Sequence, residues 1–183
     1  MNADRQLKLE TERLELIPMT FSFVSGLLNK DLTVYREFDI NPTEEWPNKD
    51  TMDIMPIIKE KLSALPGPDG FGAWLFIDKA DRMVVGDGGF KGAPGDSHKI
   101  DIGYGIIESR QRRGYAYEAV NALIKWGFSQ DNVMKITANC LIDNQPSHNL
   151  LLKLGMKEIS RNHEYIYFEL PNENQHETCW DWE

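Results

Sequence analysis

Residues 100–130 read IDIGYGIIESRQRRGYAYEAVNALIKWGFSQ, and the rest of the chain is interpreted outward from this stretch. It opens on an apolar run, residues 100–107, which is typical of a buried strand. An arginine-rich turn follows and reaches Gly114, after which apolar residues recur at helical spacing. The first N–H groups of a helix have no partner within it, and the helix dipole adds positive potential there. The stretch therefore predicts a site for phosphate oxygens, with an ordinary turn carrying solvated arginines as the alternative.

The size and charge of the chain fit a soluble globular protein. Its 183 residues are 41% hydrophobic and 27% charged, which predicts one domain over residues 7–171 and a polar and aromatic tail over residues 172–183. The formal net charge is −9, from 29 acidic and 20 basic residues. Affinity for nucleic acid comes mainly from Lys and Arg on phosphates. This charge therefore argues against nucleic acid as a partner, and also against an acidic membrane surface.

The cysteines, the histidines and the N-terminal residues argue against further classes. Cys140 and Cys179 are the two cysteines, and they give no disulfide framework. The four histidines show no spacing typical of metal ligands, so no metal is expected. The opening MNADRQLKLETERL lacks the apolar region of a signal peptide, and no segment approaches the ~20 apolar residues that span a bilayer. We expect a cytoplasmic protein.

Apolar spacing predicts the first part of the chain as strand, helix, loop and helix. A strand is expected around residues 13–17, a short helix after Thr20 or Ser22, and an irregular loop over residues 31–49. A second helix is expected to run to about residue 65. Pro56 is tolerated only in the first turn of a helix, so a start near Asp53 is preferred to one near Asp50.

The second part of the chain predicts a sheet. Residues 73–78, 83–91 and 100–107 read as an antiparallel meander, and a helix follows Gly114. The next strand, residues 135–142, can lie parallel to the third strand through a right-handed crossover. A helix to about residue 154 and a hairpin of residues 156–161 and 164–170 complete the pattern. The fold class is α/β (α+β), with a mixed, mostly antiparallel sheet of about seven strands and about four helices.

Four sequence motifs, in this order between residues 9 and 170, carry a family resemblance. They are LETERLELIPMT, the pair VVGDGGFKG and IDIGYGI, ESRQRRGYAYEA, and DNQPSHNLLLKLGM. With them the chain resembles the Gcn5-related N-acetyltransferase (GNAT) superfamily, and most of all its ribosomal-protein and N-terminal acetyltransferase-like (RimJ/RimL-like) branch. The resemblance implies a central parallel strand pair that splays apart. It also implies an acyltransferase that takes acetyl-CoA as cosubstrate.

The resemblance also implies which residues bind the cofactor. Its pyrophosphate loop corresponds to the run Arg112, Arg113, Gly114, Tyr115 and Ala116, which binds phosphate oxygens through backbone amides. By position on the third strand of the meander, Ile106 and Ile107 are expected to bond pantetheine. Asn144 matches an asparagine that bonds the pantetheine arm, and an Asx-turn or helix N-cap is its alternative role.

Catalytic residues are implied less directly. Many relatives use a tyrosine as acid on the helix after the asparagine, but the matching position is Leu151, which has no proton to give. Ser147 is the substitute, near the CoA sulfur, with a helix-capping serine as the alternative. Asp101 is the candidate base, with a solvated or salt-bridged strand aspartate as the alternative. Asp87 is a further carboxylate whose direction the sequence leaves open.

The sequence therefore favours an N-acetyltransferase that transfers an acetyl group directly to a primary amine, without an acyl-enzyme. The acceptor stays open between a protein N-terminus and a small-molecule amine. The alternative is a non-catalytic acyl-CoA-binding or sensing module, because the expected tyrosine is absent. A homodimer is compatible with the sequence, which also leaves the role of the tryptophan-containing tail open.

Overall fold

A computed structural model describes residues 7–173, which build one eight-stranded sheet in the order β1-β2-β3-β4-β5-β6-β8-β7. The strands are β1 (Leu9–Glu10), β2 (Leu14–Pro18), β3 (Ala73–Asp78), β4 (Val84–Phe90), β5 (Lys99–Ile106), β6 (Lys135–Leu141), β7 (Lys157–Arg161) and β8 (Tyr165–Pro171). The α-helices are α1 (Phe21–Leu28), α2 (Lys49–Ser63), α3 (Tyr115–Phe128) and α4 (Gln145–Lys153). Two 3-10 helices span Leu32–Phe38 and Glu108–Arg110.

The predicted fold class is confirmed, and the differences are local. The sheet has eight strands rather than about seven, because β1 is a two-residue strand with no periodicity to detect. The loop predicted over residues 31–49 contains the longer 3-10 helix. The preferred start of α2 near Asp53 is wrong: α2 begins at Lys49, where the Asn48 side chain caps it by accepting the Thr51 N–H. Pro56 therefore lies inside the helix rather than in its first turn.

The strand pair β5 and β6 is parallel, as predicted, and it is paired only at one end. Its three pairs are Lys99–Lys135, Ile100–Ile136 and Asp101–Thr137. β4 continues to pair with β5 as far as Ile106, and β8 pairs with β6 along its whole length. The sheet therefore opens between β5 and β6 beyond Asp101, which is the splayed pair that the resemblance implied.

Helices cover the two faces of the sheet unequally. One face packs against α3 and α4, with a core that includes Phe76, Ile102, Leu123, Leu151 and Phe168. The other face packs against α1, α2 and the longer 3-10 helix, with a core that includes Phe23, Trp46, Met55, Leu75 and Ile77. Successive residues of a strand point to opposite faces. Residues near the opening of β5 therefore alternate between the two helical layers.

The C-terminal end of the described part is packed against the domain. Asn172, predicted to begin the tail, is 4% exposed, and its amide donates to the carbonyls of Phe128 and Val133. The predicted tail from residue 174 onward, including Cys179, lies outside the described residues. Among residues 7–173, no helix is both long enough and apolar enough to cross a membrane.

Candidate active site

The loop that precedes α3 presents unpaired backbone N–H groups. Gly114 adopts the left-handed conformation, with φ 83°, and immediately precedes the helix. The Glu118 N–H makes the first intrahelical bond, to the Gly114 carbonyl at 3.1 Å. The N–H groups of Tyr115 and Ala116 come before it and have no intrahelical partner. Arg112 and Arg113 are exposed beside them. The predicted phosphate-binding run is thus gathered at one helix N-terminus.

Arg110, the third arginine of the turn, points away from this N-terminus. Its guanidinium donates to Asp78 at 3.1 Å and contacts Asp81. The Tyr115 hydroxyl donates to the same Asp78 carboxylate at 2.6 Å. Although burial opposes it, these donors hold the pKa of Asp78 below its ordinary value. Arg110 therefore anchors the loop to the end of β3, a pairing with Asp78 that no sequence pattern indicated.

A second anchor joins the loop to β2. Arg13 donates from Nε to Glu118 at 2.7 Å and from Nη1 to the Arg113 carbonyl at 2.9 Å. Thr11 donates to the same glutamate at 2.5 Å. Burial alone would raise the pKa of Glu118, but these donors hold it below its ordinary value. The charge of Arg13 is thus compensated by Glu118, and its bond to the Arg113 carbonyl holds the loop backbone in place.

Ile106 and Ile107 differ in how their backbones are used. The Ile107 N–H donates to the Val85 carbonyl at 2.9 Å, and the Ile107 carbonyl accepts from Arg110. Because residues of an antiparallel strand alternate in direction, the Ile106 N–H points to the opposite side, where β6 has diverged. Of these two residues, only Ile106 therefore directs its N–H toward the opening. Ile107 was also expected to bond pantetheine. This expectation is corrected, because the Ile107 N–H is already bonded to Val85 within the sheet.

Asp101 lies at the closed end of the strand pair. Its carboxylate accepts from Thr137 at 3.0 Å and forms an ion pair with Lys91. At about 3.3 Å per residue, it is roughly 10 Å along β5 from Tyr104, where the sheet is open. The salt-bridged alternative describes it correctly. The geometry does not place Asp101 where a base for the opening would act.

Asp87 is a carboxylate on β4, the strand next to β5, at the level where β5 no longer pairs with β6. It lies in the middle of β4, opposite Gly105 of β5. The Trp46 indole N–H donates to its Oδ2 at 2.6 Å, and the Thr51 hydroxyl donates to the same oxygen at 2.9 Å. Burial raises the pKa of Asp87 above its ordinary value, although both donors work against this shift. Asp87 thus carries a carboxylate that holds a proton more readily than most aspartates.

Space lies open beside Asp87. A Cβ built on Gly103 or on Gly105 would meet no atom within 4 Å. Both glycines alternate with Tyr104 and so lie on the face of β5 that Asp87 shares. An incoming molecule can therefore reach the strand backbone here without displacing a side chain.

The opposite face of the opening carries two hydroxyl groups. The Tyr104 and Ser147 hydroxyl oxygens are 2.8 Å apart. Asn144 caps α4, because its side chain accepts the Ser147 N–H at 3.1 Å. Leu151 is fully buried in the core and cannot face the opening. Sequence reasoning singled out Ser147 and Asn144 but missed Tyr104, whose even spacing from Ile100 and Ile102 placed it on the α3 and α4 face.

Three features therefore lie together in this region: the exposed N-terminus of α3, the free edge of β5, and polar groups on both faces. Asp87 lies on one face, and Tyr104 with Ser147 lies on the other. Within residues 7–173, no group of three or more His, Cys, Asp or Glu side chains is arranged to hold a metal ion. The polar groups around the opening are the Asp87 carboxylate, the two hydroxyls and the backbone amides of β5.

Comparison with known proteins assigns the family. Residues 13–157 match the model of the acetyltransferase (GNAT) domain. The uncharacterized N-acetyltransferase YjdG of Bacillus subtilis is 34% identical over 160 residues, which cover 87% of this chain and 95% of that protein. The chain belongs to the GNAT acetyltransferase family, whose general reaction is acetyl transfer to an amine, and the resemblance found in the sequence is confirmed.

Solved structures show the same fold. The ribosomal-protein-S5-alanine acetyltransferase of Vibrio fischeri superposes with a TM-score of 0.63 at 16% identity, covering 92% of this chain and 98% of that one. The microcin self-immunity acetyltransferase MccE, in complex with acetyl-CoA and AMP, superposes with a TM-score of 0.62 at 12% identity. That comparison covers 88% of this chain and 93% of MccE. At these identities the likeness establishes the fold alone.

Proposed function

We propose that this protein uses acetyl-CoA to acetylate a primary amine directly, the acceptor being a protein N-terminus or a small-molecule amine. The observation that carries the proposal is the opening between β5 and β6. It connects a phosphate-binding helix N-terminus to a point where Asp87 and Ser147 approach the same strand from opposite faces. An acyl carrier with a diphosphate and an extended arm fits that combination.

The cosubstrate would be held mainly by backbone groups. The N–H groups of residues 112–116 bind its phosphate oxygens, and Gly114 lets the main chain approach without a Cβ. The Ile106 N–H, on the free edge of β5, bonds the pantetheine arm as an added strand would. Asn144 lies across the opening and combines its capping bond with a contact to the same arm. In this assignment Ile106 bonds the pantetheine arm and Ile107 does not.

Asp87, in place of Asp101, is the proposed base. Acetyl-CoA supplies a thioester carbonyl that an amine can attack. Asp87 accepts the proton that the amine loses, and its raised pKa makes it a better proton acceptor than an ordinary aspartate. The open space over Gly103 and Gly105 admits the amine to the strand edge.

Direct transfer is favoured over an acyl-enzyme. Cys140, on β6 near the opening, is 5% exposed, and burial raises the pKa of its thiol. A nucleophilic cysteine needs the opposite, an accessible thiolate. His148, one residue after Ser147, is 3.8 Å from Glu158 rather than bonded to the Ser147 hydroxyl. Neither side chain has the activation that a covalent intermediate requires.

The experiment separates the enzyme from a non-catalytic acyl-CoA sensor. Thermal unfolding is followed with and without acetyl-CoA, and thiol release is then measured across a panel of primary amines and N-terminal peptides. We expect stabilisation by acetyl-CoA and thiol release with at least one amine. Asp87→Asn should retain the stabilisation and lose ~10²–10⁴-fold in turnover. Stabilisation without thiol release from any amine would instead identify a sensor.

The binding half of this experiment has a matched control. Gly114→Ala forces an alanine into the left-handed conformation, and so does Gly155→Ala, where φ is 87° and a Cβ would meet only Leu170 at 3.8 Å. Both variants carry a similar strain of ~1–2 kcal/mol. Only Gly114→Ala should weaken acetyl-CoA binding, because Gly155 lies at the far end of α4. Equal affinities in the two variants would mean that the phosphate loop is misassigned.

A further inference from the structure

The paired hydroxyls of Tyr104 and Ser147 bridge the opening of the sheet. Tyr104 projects from β5, and Ser147 projects from the first turn of α4, so their 2.8 Å contact joins the two elements on either side of the gap. The Tyr104 ring packs against the core beneath α3 and α4. The Ser147 backbone is fixed by its bond to Asn144. Both hydroxyls are thus held by their own elements and meet at the mouth of the gap.

The chemistry of the two hydroxyls favours Tyr104 as the donor across their 2.8 Å contact. A phenol is more acidic than an aliphatic hydroxyl and is therefore the stronger hydrogen-bond donor, and burial raises the pKa of Tyr104, so the phenol keeps its proton. A part-buried O–H group is costly unless it donates, and the Ser147 oxygen is the acceptor at hydrogen-bond distance. Each hydroxyl has one proton. When Tyr104 donates to Ser147, the Ser147 proton is free to point elsewhere, and the gap lies directly beside it.

We propose that Tyr104 is a positioning residue for the leaving group: by donating to Ser147, it turns the Ser147 proton toward the sulfur of CoA. This inference rests on the proposed acetyl-CoA chemistry and adds a component to it. When the carbon–sulfur bond breaks, its electron pair stays on the sulfur. Ser147 then donates a hydrogen bond to the thiolate, while Asp87 holds the proton lost by the amine. The sulfur takes a proton from water as CoA leaves, and Asp87 returns the amine's proton to the hydroxide so formed, through solvent.

The pair stabilises the thiolate rather than protonating it. A tyrosine ordinarily has a pKa near 10 and a thiol a pKa near 8.5, so proton transfer from Tyr104 through Ser147 to the sulfur would be uphill. A hydrogen bond to an ion is about twice as strong as one between neutral groups. The pair therefore does not replace the acidic tyrosine expected at the position of Leu151 on α4, but stabilises the leaving thiolate by a hydrogen bond instead.

The titratable neighbours of the pair are few and can be controlled. Cys140 on β6 interacts electrostatically with Tyr104. His148 on α4 follows Ser147 and faces Glu158 of β7. The thiolate of Cys140 absorbs in the same ultraviolet range as the thiolate of CoA. A complex with desulfo-CoA, which lacks the ligand thiol, therefore serves as the blank for absorbance changes of the protein.

The test measures the ionisation of bound CoA, which needs no acceptor amine. The ultraviolet absorbance of the thiolate is titrated in the CoA complex, and the same titration of the desulfo-CoA complex is subtracted. We expect the thiol of bound CoA to ionise at lower pH than that of free CoA. Ser147→Ala should shift the midpoint upward by about one pH unit, the effect of one charge-assisted hydrogen bond. Tyr104→Phe should shift it upward by a smaller amount, because Ser147 keeps its hydroxyl but loses the group that orients it. Tyr104→Phe should add nothing to Ser147→Ala.

Controls separate positioning from packing. Tyr167→Phe removes a hydroxyl from β8, where it accepts from Asn162, and should leave the midpoint unchanged. The affinity for desulfo-CoA should stay within about twofold in every variant, since one neutral exposed contact is small on the scale of binding. A Tyr104→Phe midpoint equal to that of the unmodified protein would overturn the inference and leave the proposed function standing. A shift in the double variant beyond that of Ser147→Ala would also overturn it. Failure of CoA to bind at all would overturn both this inference and the proposed function.

Discussion

At the scale of single residues, the two donors on Asp87 decide how it titrates. Both Trp46 and Thr51 donate to Oδ2, while Oδ1 has no such protein donor among the described contacts. Donors favour the ionised carboxylate, whereas burial favours the neutral acid, and burial is the larger effect. The raised pKa means that ionised Asp87 costs folding free energy, a cost absent at pH values below the ordinary aspartate range and present at neutral pH.

Thr51→Val follows as a prediction of pH dependence. Valine keeps the shape of the 6%-exposed threonine but removes one donor, so the pKa of Asp87 should rise further. The base must be ionised to act, and the acid limb of the pH–rate profile should therefore move to higher pH, by about 0.5–1 unit. The measurement is kcat/KM for the acceptor between pH 5 and pH 9, relative to the unmodified protein. An acid limb that stays in place would show that Asp87 is not the base.

Residues also show where sequence reasoning was limited. Alternation along a strand puts Asp101 on one face of β5 with Gly103 and Gly105, and this pattern can be read from the sequence. Whether Asp101 met the opening depended on how far β6 follows β5, and pairing over three positions only is a tertiary property. The direction of Asp87 was unreadable for a similar reason, because its partners Trp46 and Thr51 are about 40 residues away in sequence.

At the scale of elements, β5 is asymmetric across its two faces. One face bears Ile100, Ile102 and Tyr104 and packs against α3 and α4, whereas the other presents Gly103 and Gly105 beneath open space. Periodic apolar residues made the strands and helices predictable to within a few residues. Elements without periodicity, namely β1 and the 3-10 helix Leu32–Phe38, were not. The glycines in β5 lower the stability of the strand, but they leave a clear path to its edge.

Gly105→Val tests that path. Valine suits a strand and would meet no atom of the protein within 4 Å of its Cβ, so the fold should be retained. Its side chain would stand beside Asp87, where the acceptor is expected to enter. We predict a ~10–100-fold lower kcat/KM for the acceptor with an unchanged acetyl-CoA affinity, since a small displacement of the attacking group is enough. Gly95→Val, at an equally open surface turn, is the control and should change neither quantity. Normal acceptor kinetics in Gly105→Val would place the acceptor elsewhere.

At the scale of the whole molecule, the net charge of −9 opposes a ligand that carries phosphates. Arginines around the N-terminus of α3 offset this repulsion locally. Arg13 and Arg110 are paired with acidic side chains and hold the phosphate loop, while Arg112 and Arg113 stand exposed beside the N-terminus of α3. The sequence indicated the basic loop, but not the division between arginines that anchor it and arginines that face outward, because that division depends on Asp78 and Glu118.

This division predicts how acetyl-CoA affinity responds to salt. Exposed charges are screened over about 10 Å at 0.1 M ionic strength, so affinity should fall as salt is raised. Replacing Arg112 and Arg113 together by glutamine should weaken binding by about tenfold at low salt and flatten the salt dependence, because a surface ion contact contributes up to ~1 kcal/mol. Arg36→Gln removes one exposed arginine from the 3-10 helix on the other face and is the control for lost positive charge elsewhere, compared per charge removed. Calorimetric titration at 20 mM and 300 mM salt measures all three proteins. An equal loss of affinity in the control variant would trace the effect to net charge, whereas a loss confined to the double variant traces it to the two arginines at the helix N-terminus.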